Sequence, residues 1–240
     1  KDIPVVLAGK GYNQSLNEDE IYSVGWKSIE EHGRDTESIA KDIMSMIGIT
    51  KKNVIDCVEK ASLWHDVGKA HDKWQKAALD YAAGPSPPSY KFAKFPVSSS
   101  APKRFLPGIR HEAAGALLLW QFWEKGLSSP LIIYLVAAHH GKVRTVLRSL
   151  STDSGDDVFG IQDGEVIGKV DGLTSNDIAL QTDMKYYGAK GTWISDSEFN
   201  LESISWVEMV SDLEKEFGSI NLAFLEAIVR AADIRASKGG

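Results

Sequence analysis

Five of the six histidines in this chain fall into a series that also contains two aspartates. In chain order the series reads His32, His65-Asp66, His111, His139-His140 and Asp233. Imidazole nitrogens and carboxylate oxygens are the side-chain atoms that bind first-row transition metals. The two doublets suggest a site for two metal ions, because one member of a pair can serve one ion while its neighbour serves the other.

The doublets are predicted at or near helix ends, since Gly68 and Gly141 follow them closely. Adjacent helical residues point about 100° apart, and the negative end of the helix dipole favours cations. His32 alone would be interpreted as a packed core residue, and His71 fits no ligand position and is expected on the surface. Asp233 lies on an apolar helix face, where an unpaired carboxylate is costly and a metal would explain it.

Helical patterns surround these residues. Ser28 and Glu31 predict a capping box, after which apolar residues recur at helical spacing as far as Ile47. Further helices are predicted after Thr50, over Ala70–Ala83, from His111, from Pro130 to His139-His140, and from about Asn221 to Arg235.

Two regions break the helical pattern. Gly84–Gly108 contains six of the eight prolines, which predicts a long irregular loop. The region of about 156–200 is rich in glycine, aspartate and β-forming residues. Its Asp163-Gly164 step predicts a hairpin between Val158–Ile161 and Val166–Val170.

The sequence His65-Asp66-Val67-Gly68-Lys69 resembles the signature of the HD superfamily of metal-dependent phosphohydrolases. The core ligand order of that superfamily is His, His-Asp, Asp, which His32, His65, Asp66 and Asp233 match in turn. His111 and His139-His140 match the extended version, found in members that hold two metals. The resemblance covers roughly residues 28–236 in separate motifs. It implies one HD domain over 1–240 that is a mainly α helical bundle. The small β-hairpin or β insertion at about 156–200 and the proline-rich loop at about 84–108 are predicted from composition and turn residues, and the resemblance implies nothing about them.

Two branches of the extended group compete. Cyclic-dinucleotide phosphodiesterases of the HD-GYP type carry Gly-Tyr-Pro soon after the double histidine, and this chain contains no Gly-Tyr-Pro. The other branch is the HD nuclease of type I CRISPR interference systems, which cuts single-stranded DNA beside a helicase. The chain is similar to that nuclease in Leu63–Lys69, Trp74-Gln75-Lys76, Arg110-His111-Glu112, Ala137–Gly141 and Ala232–Ser237. We therefore favour a metal-dependent phosphodiester hydrolase that acts as a nuclease.

The resemblance also implies roles for the site residues. One metal is expected on His32, His65, Asp66 and Asp233, and the second on His111, His139 and His140. Asp66 is the expected bridge, because a carboxylate has two oxygens. Asp66 and Lys69 are the candidate catalytic residues, Lys69 either contacting a phosphate oxygen or lying on the surface. The nitrogen-rich ligands favour Mn, Fe, Co or Ni over Mg for the two divalent ions.

The net charge of −6 is unevenly spread. Nine basic and two acidic residues lie between Tyr81 and Arg148, so this stretch carries +7 and the rest −13. A local basic surface can bind phosphates, because exposed charges farther than about 10 Å apart are screened. The predicted nucleic-acid contacts are Lys91, Lys94, Lys103, Arg104, Lys142 and Arg144. The interleaved aromatics Tyr90, Phe92, Phe95 and Phe105 either stack on the bases of a single strand or pin the loop to the body.

Three functions remain open: a nuclease acting on single-stranded DNA in CRISPR antiviral interference, a phosphodiesterase or phosphohydrolase acting on cyclic or free nucleotides, and a non-catalytic scaffold. The complete ligand series argues against the scaffold. No Gly-x-x-x-x-Gly-Lys-Ser/Thr loop occurs, so an ATP-driven motor must be another domain or subunit. The implied partners are single-stranded DNA, that helicase and an RNA-guided surveillance complex. A lone Cys57, with no signal-peptide or membrane-spanning pattern, predicts a cytoplasmic location.

Overall fold

The computed structural model describes residues 25–97, 107–141, 158–184, 186–195 and 198–238. Within these ranges the protein is mainly helical, with three two-stranded antiparallel sheets, which confirms the predicted fold class. The α-helices are α1 (Ile29–Met46), α2 (Lys52–Trp64), α3 (Asp72–Tyr81), α4 (His111–Glu124), α5 (Pro130–Ala138), α6 (Trp206–Phe217) and α7 (Ser219–Ser237). A short 3-10 helix, Val67–Ala70, lies between α2 and α3.

The start of α1 is fixed by its own sequence. The Ser28 hydroxyl accepts the backbone N–H of Glu31 at 3.0 Å, and the Glu31 carboxylate accepts the backbone N–H of Ser28 at 3.0 Å. This is the predicted capping box. One turn later, Gly33 lets α1 approach α2, since a Cβ there would lie 2.3 Å from the Leu63 carbonyl oxygen. The cap and the close approach together set the position of His32.

Helix α5 lies at the centre of the hydrophobic core. Every residue from Leu131 to Ala138 is buried, and the helix contacts α2, α4, α6 and α7. Burying one Leu, Ile or Val side chain stabilises a protein by about 1.5–3 kcal/mol, so this apolar run is a strong packing element. Among the described residues, no helix combines the length and apolar character needed to cross a bilayer.

The proline-rich segment is more ordered than its sequence predicts, as far as it is described. Strand β1 (Lys27–Ser28) pairs antiparallel with β2 (Phe92–Lys94), which lies inside that segment. Phe92 and Phe95 are buried, and both rings contact the indole of Trp74. These two aromatic residues therefore pin the segment to the body. Phe105 lies outside the described residues.

A β insertion is present where predicted, but the pairing within it differs. Strand β3 (Val166–Ile167) pairs with β4 (Ile178–Ala179), and β5 (Tyr186–Ser195) pairs with β6 (Glu198–Ile204). The predicted partner of Val166–Val170 was Val158–Ile161, and that prediction is wrong: Val158 and Ile161 bridge each other around Phe159-Gly160.

The Asp163-Gly164 turn itself does form, with the Glu165 N–H donating to the Gln162 carbonyl at 3.1 Å. It directs the chain to a more distant partner. The Gly164 N–H donates to the Leu180 carbonyl at 2.8 Å, and Asp163 Oδ1 accepts the N–H of Thr182 at 3.0 Å. The turn chemistry is local and predictable, whereas the choice of partner strand is not.

Candidate metal centre

The seven residues of the His/Asp series lie together in the structure. They come from α1 (His32), the junction of α2 with the 3-10 helix (His65-Asp66), the start of α4 (His111), the end of α5 (His139-His140) and α7 (Asp233). Two sets of nitrogen and oxygen atoms each fall within 4.8 Å of one another: His32, His65 and Asp66, and His111, His139 and His140. We call the first set, with Asp233, the first group, and the three remaining histidines the second group.

The first group is held by the packing of α1 against α7. His32, in the first turn of α1, has its Nε2 2.9 Å from Asp233 Oδ1. The Nε2 atom of His65 lies 3.5 Å from the same oxygen and 3.5 Å from Asp66 Oδ2. Asp66 Oδ2 is also 3.6 Å from His32 Nε2. Two imidazole nitrogens and two carboxylate oxygens thus converge on one small volume.

The second group adjoins the first through Asp66. His111 Nε2 lies 3.4 Å from Asp66 Oδ1 and 3.2 Å from His140 Nε2. His139 lies between the groups, its ring centroid 5.3 Å from that of His65 and 5.5 Å from that of His111. The two oxygens of Asp66 therefore face different groups: Oδ2 faces the first and Oδ1 the second.

Two histidines are oriented in the same way, by a hydrogen bond from the ring to a backbone carbonyl. His65 Nδ1 donates to the Ser62 carbonyl at 2.6 Å, and His139 Nδ1 donates to the Val136 carbonyl at 2.6 Å. Since a carbonyl only accepts, the proton of each neutral ring is on Nδ1 and the Nε2 lone pair is left for a metal. Each histidine directly follows its helix and uses the carbonyl three residues back.

These side chains fit a bound metal. His65 Nε2 and His139 Nε2 are buried without a well-formed hydrogen bond, and a buried polar atom without a partner costs about 1–3 kcal/mol. Carboxylate oxygens approach His65 Nε2 only to 3.5 Å. Neutral imidazoles beside carboxylates form a donor set that can hold a divalent metal ion.

Burial sets the protonation of most of these histidines. It lowers the pKa of His32 to about 3 and that of His139 to about 4, and it holds the pKa of His140 well below its ordinary value. These rings are therefore neutral, which is the form that binds metal. Burial also opposes protonation of His65, but the carboxylates of Asp66 and Asp233 outweigh it and raise its pKa.

Two lysine ammonium groups lie against the carboxylates of the first group. Lys69 Nζ donates to Asp66 Oδ2 at 2.7 Å, and Lys94 Nζ lies 3.8 Å from Asp233 Oδ1. Burial alone would raise the pKa values of both aspartates, but these lysines help to hold them well below the usual range. Both lysines are buried, so the alternative of a surface role for Lys69 is wrong.

Lys94 also differs from its sequence-based interpretation. It was grouped with exposed nucleic-acid contacts, but its side chain is 2% exposed and faces the first group. Lys91 is partly exposed and pairs with Asp72 at 2.9 Å. The remaining predicted contacts, Lys103, Arg104, Lys142 and Arg144, lie outside the described residues. The apolar residues on both sides of Lys94, in Phe92-Ala93-Lys94-Phe95, were the available signal for a buried strand here.

The surface position predicted for His71 is also wrong. His71 is buried, caps α3 by accepting the backbone N–H of Lys73 at 3.2 Å, and has its Nε2 3.3 Å from Glu165 Oε2 of the insertion. Burial is the main cause that lowers its pKa. The pairing with Glu165 joins the β insertion to the helices and takes no part in the two ligand groups.

Glu112 lies beside the second group. The sequence marks it only as part of the Arg110-His111-Glu112 motif, with no role of its own. Its Oε2 lies 3.5 Å from His111 Nδ1, and its Oε1 accepts from Arg110 Nη1 at 3.3 Å. Burial would raise the pKa of Glu112, but His111, His139 and Arg110 lower it. A carboxylate on Nδ1 directs the Nε2 atom of His111 toward Asp66.

Gly68 determines how closely the two groups approach. A Cβ at Gly68 would lie 1.9 Å from the His111 carbonyl oxygen and 2.6 Å from the Gly115 nitrogen. The 3-10 helix that follows Asp66 is therefore in direct backbone contact with α4, which carries His111. No side chain larger than hydrogen fits between them.

Comparison with known proteins agrees with this geometry. A family model described as the HD domain of Cas3 matches residues 23–182, which is most of the chain. The match includes every member of both groups except Asp233. No curated protein and no solved structure matches the chain. The chain therefore belongs to the family of Cas3 HD domains, whose members are metal-dependent nucleases of CRISPR systems.

Proposed function

We propose that this domain hydrolyses phosphodiester bonds of single-stranded DNA with two divalent transition-metal ions. The observation that carries the proposal is the placement of Asp66, whose two oxygens face the two groups separately. The first group would hold one ion and the second group the other, with Asp66 shared. We infer that the ions are Mn, Fe, Co or Ni, because five of the seven ligands are imidazoles.

The protein residues prepare the site for this chemistry. When bound, two divalent ions lower the pKa of water and offset the charge of the attacked phosphate. The Ser62 and Val136 carbonyls select the neutral tautomer of His65 and His139 in which the proton is on Nδ1 and the Nε2 lone pair is available to a metal. Burial excludes bulk water from the first group, which strengthens every electrostatic interaction within it.

Lys69 is proposed as a catalytic residue together with Asp66. Its ammonium group lies 2.7 Å from Asp66 Oδ2 and 5.5 Å from the ring centroid of Trp74. A positive charge beside the shared carboxylate is well placed to attract a phosphate oxygen that approaches the centre. The 3-10 helix fixes Lys69 one turn beyond Asp66, so its position does not depend on a loop.

We propose that the strand reaches the centre across the basic stretch, with Lys91, Lys103, Arg104, Lys142 and Arg144 as phosphate contacts. A helicase domain or subunit would supply the single strand, and an RNA-guided surveillance complex would deliver the target. Replacing Lys103 and Arg104 with alanine is expected to weaken binding of a single-stranded oligonucleotide. It should also reduce the slope of log affinity against log salt by about 0.7 per lost phosphate contact.

The decisive experiment compares substrates. Purified protein with Mn²⁺ or Ni²⁺ would be incubated with circular single-stranded DNA, cyclic dinucleotides and nucleoside triphosphates. We expect the circle to be cut, and the cleavage to be lost in His65→Ala and Asp66→Ala. A matched control is Asp42→Ala, which removes an exposed carboxylate of α1 outside the centre and should leave cleavage unchanged.

The other outcomes separate the competing functions. Turnover of only the cyclic or free nucleotides would replace the nuclease with a small-molecule phosphohydrolase. Metal binding without turnover of any substrate would favour a scaffold. A circular substrate is used because it has no ends, so cutting it requires internal hydrolysis.

A further inference from the structure

Lys94 is the least expected neighbour of the first group. It is 2% exposed on its side chain, and its ammonium nitrogen lies 3.8 Å from Asp233 Oδ1. Burying an ammonium group is costly unless negative charge lies nearby. Asp233 supplies that charge, and the same oxygen also faces His32 Nε2 at 2.9 Å and His65 Nε2 at 3.5 Å.

The backbone around Lys94 is fixed from two sides. Residues Phe92–Lys94 pair with Lys27–Ser28. These two residues directly precede α1, the helix that carries His32. The Gln75 amide donates to the Phe92 carbonyl at 2.9 Å and to the Lys69 carbonyl at 2.8 Å. The strand, α1 and the 3-10 helix are therefore joined, and Lys94 is held on the inner side of the first group.

The charges of the first group balance before any metal binds. Its two carboxylates, Asp66 and Asp233, are matched by the two buried ammonium groups of Lys69 and Lys94. Lys69 pairs with Asp66 and Lys94 pairs with Asp233. The two ammonium groups thus offset the two negative charges that would otherwise attract a divalent ion to this group.

We propose that Lys94 is a resident counter-charge for Asp233 that stabilises the metal-free centre and weakens the binding of the first metal. Lys94 and the metal compete for the same carboxylate oxygen. Lys94 is a positioning residue, since it is buried and acts through Asp233. The inference rests on the proposed metal binding but not on the proposed substrate.

The test measures metal affinity and stability without DNA. Isothermal titration with Mn²⁺ or Ni²⁺ would compare the wild type with Lys94→Met and Lys94→Arg, and thermal unfolding would be followed with EDTA and with saturating metal. Lys94→Met should bind the first metal about tenfold more tightly, because it removes a positive charge a few Å from the ligand oxygen. It should also unfold at a lower Tm than the wild type in EDTA, and this deficit should shrink with metal.

Two variants serve as controls. Lys94→Arg keeps the charge and should retain an affinity near that of the wild type. Lys91→Met is the same substitution on the same segment, but its ammonium pairs with Asp72 outside the centre, so neither affinity nor metal-dependent Tm should change.

The outcomes separate this inference from the proposed function. An unchanged or weaker metal affinity in Lys94→Met, while the wild type binds metal, would overturn the role of Lys94. A wild type that binds no divalent metal would overturn the proposed function as well. If Lys94→Met does not fold in EDTA, Lys94→Gln purified with metal and then titrated by competition with a chelator gives the same comparison.

Discussion

The two ligand groups differ in charge and in exposure. The first group has two carboxylates and two histidines, all buried, with two lysine ammonium groups packed against it. The second group has three imidazoles, and His140 is its partly exposed member. Within the part of the chain that the structure describes, the first group is therefore enclosed, whereas the second group reaches the surface only at His140. We infer that a substrate phosphate approaches from the His140 side.

The largest loss of cleavage is expected from replacing Asp66, the residue that the two groups share. Asp66→Asn removes the carboxylate that faces both groups and leaves Lys69 without its ion-pair partner. Cleavage should fall at least about a thousandfold, since each 1.4 kcal/mol of lost transition-state stabilisation costs a factor of about ten. Steady-state cleavage with saturating Mn²⁺ is the measurement, with the exposed change Asp42→Asn as the control. Retention of activity within tenfold would show that the groups do not depend on Asp66.

The next effect tests whether the two groups must lie close together. Gly68→Ala places a Cβ 1.9 Å from the His111 carbonyl oxygen, so the 3-10 helix and α4 must separate. Overpacking of this kind costs about 1–3 kcal/mol of stability, and chemical denaturation would measure it. Cleavage should fall more than metal binding to the first group, because His32 and Asp233 lie on α1 and α7 and His65 directly follows α2.

The control for that variant is Gly25→Ala, because a Cβ at Gly25 has no atom within 4 Å. It should change neither stability nor cleavage. Equal stability of Gly68→Ala and the wild type would mean that the backbone contact is easily relaxed and does not set the spacing of the groups.

A smaller effect, a loss of metal affinity, should be confined to the second group. Glu112→Gln keeps the shape of the side chain but removes the negative charge 3.5 Å from His111 Nδ1. Loss of a carboxylate that orients a histidine ligand costs about 10–100-fold in metal affinity. Titration should show weaker binding of one metal and an unchanged first metal. Glu214→Gln, an exposed change on α6, is the matched control. Equal loss at both metals would mean that the groups are not separable.

The smallest expected effect is a change in the pH dependence of stability, and it comes from His71, which lies outside both groups. The folded-state pKa of His71 is lowered, mainly by burial, so below pH of about 6.5 the unfolded chain binds a proton that the folded protein resists. Its contribution to stability is therefore present above that pH and is lost as the pH falls. With saturating metal, His71→Asn should lose less unfolding free energy than the wild type between about pH 7.5 and 5.5. Parallel pH profiles would contradict this assignment.

The sequence was sufficient to place the two doublets because their signals are local. Helical spacing, glycines at helix ends and adjacent doublets placed His65-Asp66 and His139-His140 at helix termini, where the structure has them. The Ser28 capping box fixed the start of α1 in the same way. Packing of the helices against one another then brings these residues together in space, so no additional sequence motif is needed.

The errors concern residues whose environment depends on distant partners. Lys94 is buried because its strand pairs with residues 27–28, and His71 is buried because Glu165 of the insertion lies against it. The hairpin predicted from Asp163-Gly164 had a correct turn and a wrong partner. Nothing in a local pattern specifies such partners, since they are chosen by the tertiary fold.

The backbone carbonyls of Ser62 and Val136 have a consequence for how the centre tolerates mutation. Every residue has a carbonyl, so replacing either side chain would leave the acceptor for His65 or His139 in place. The tautomer of these two rings is thus inherited from helix geometry rather than from any particular neighbouring side chain. Positions 62 and 136 can therefore change within the limits of packing. The Nε2 atoms of His65 and His139 would still be the unprotonated nitrogens of the neutral rings.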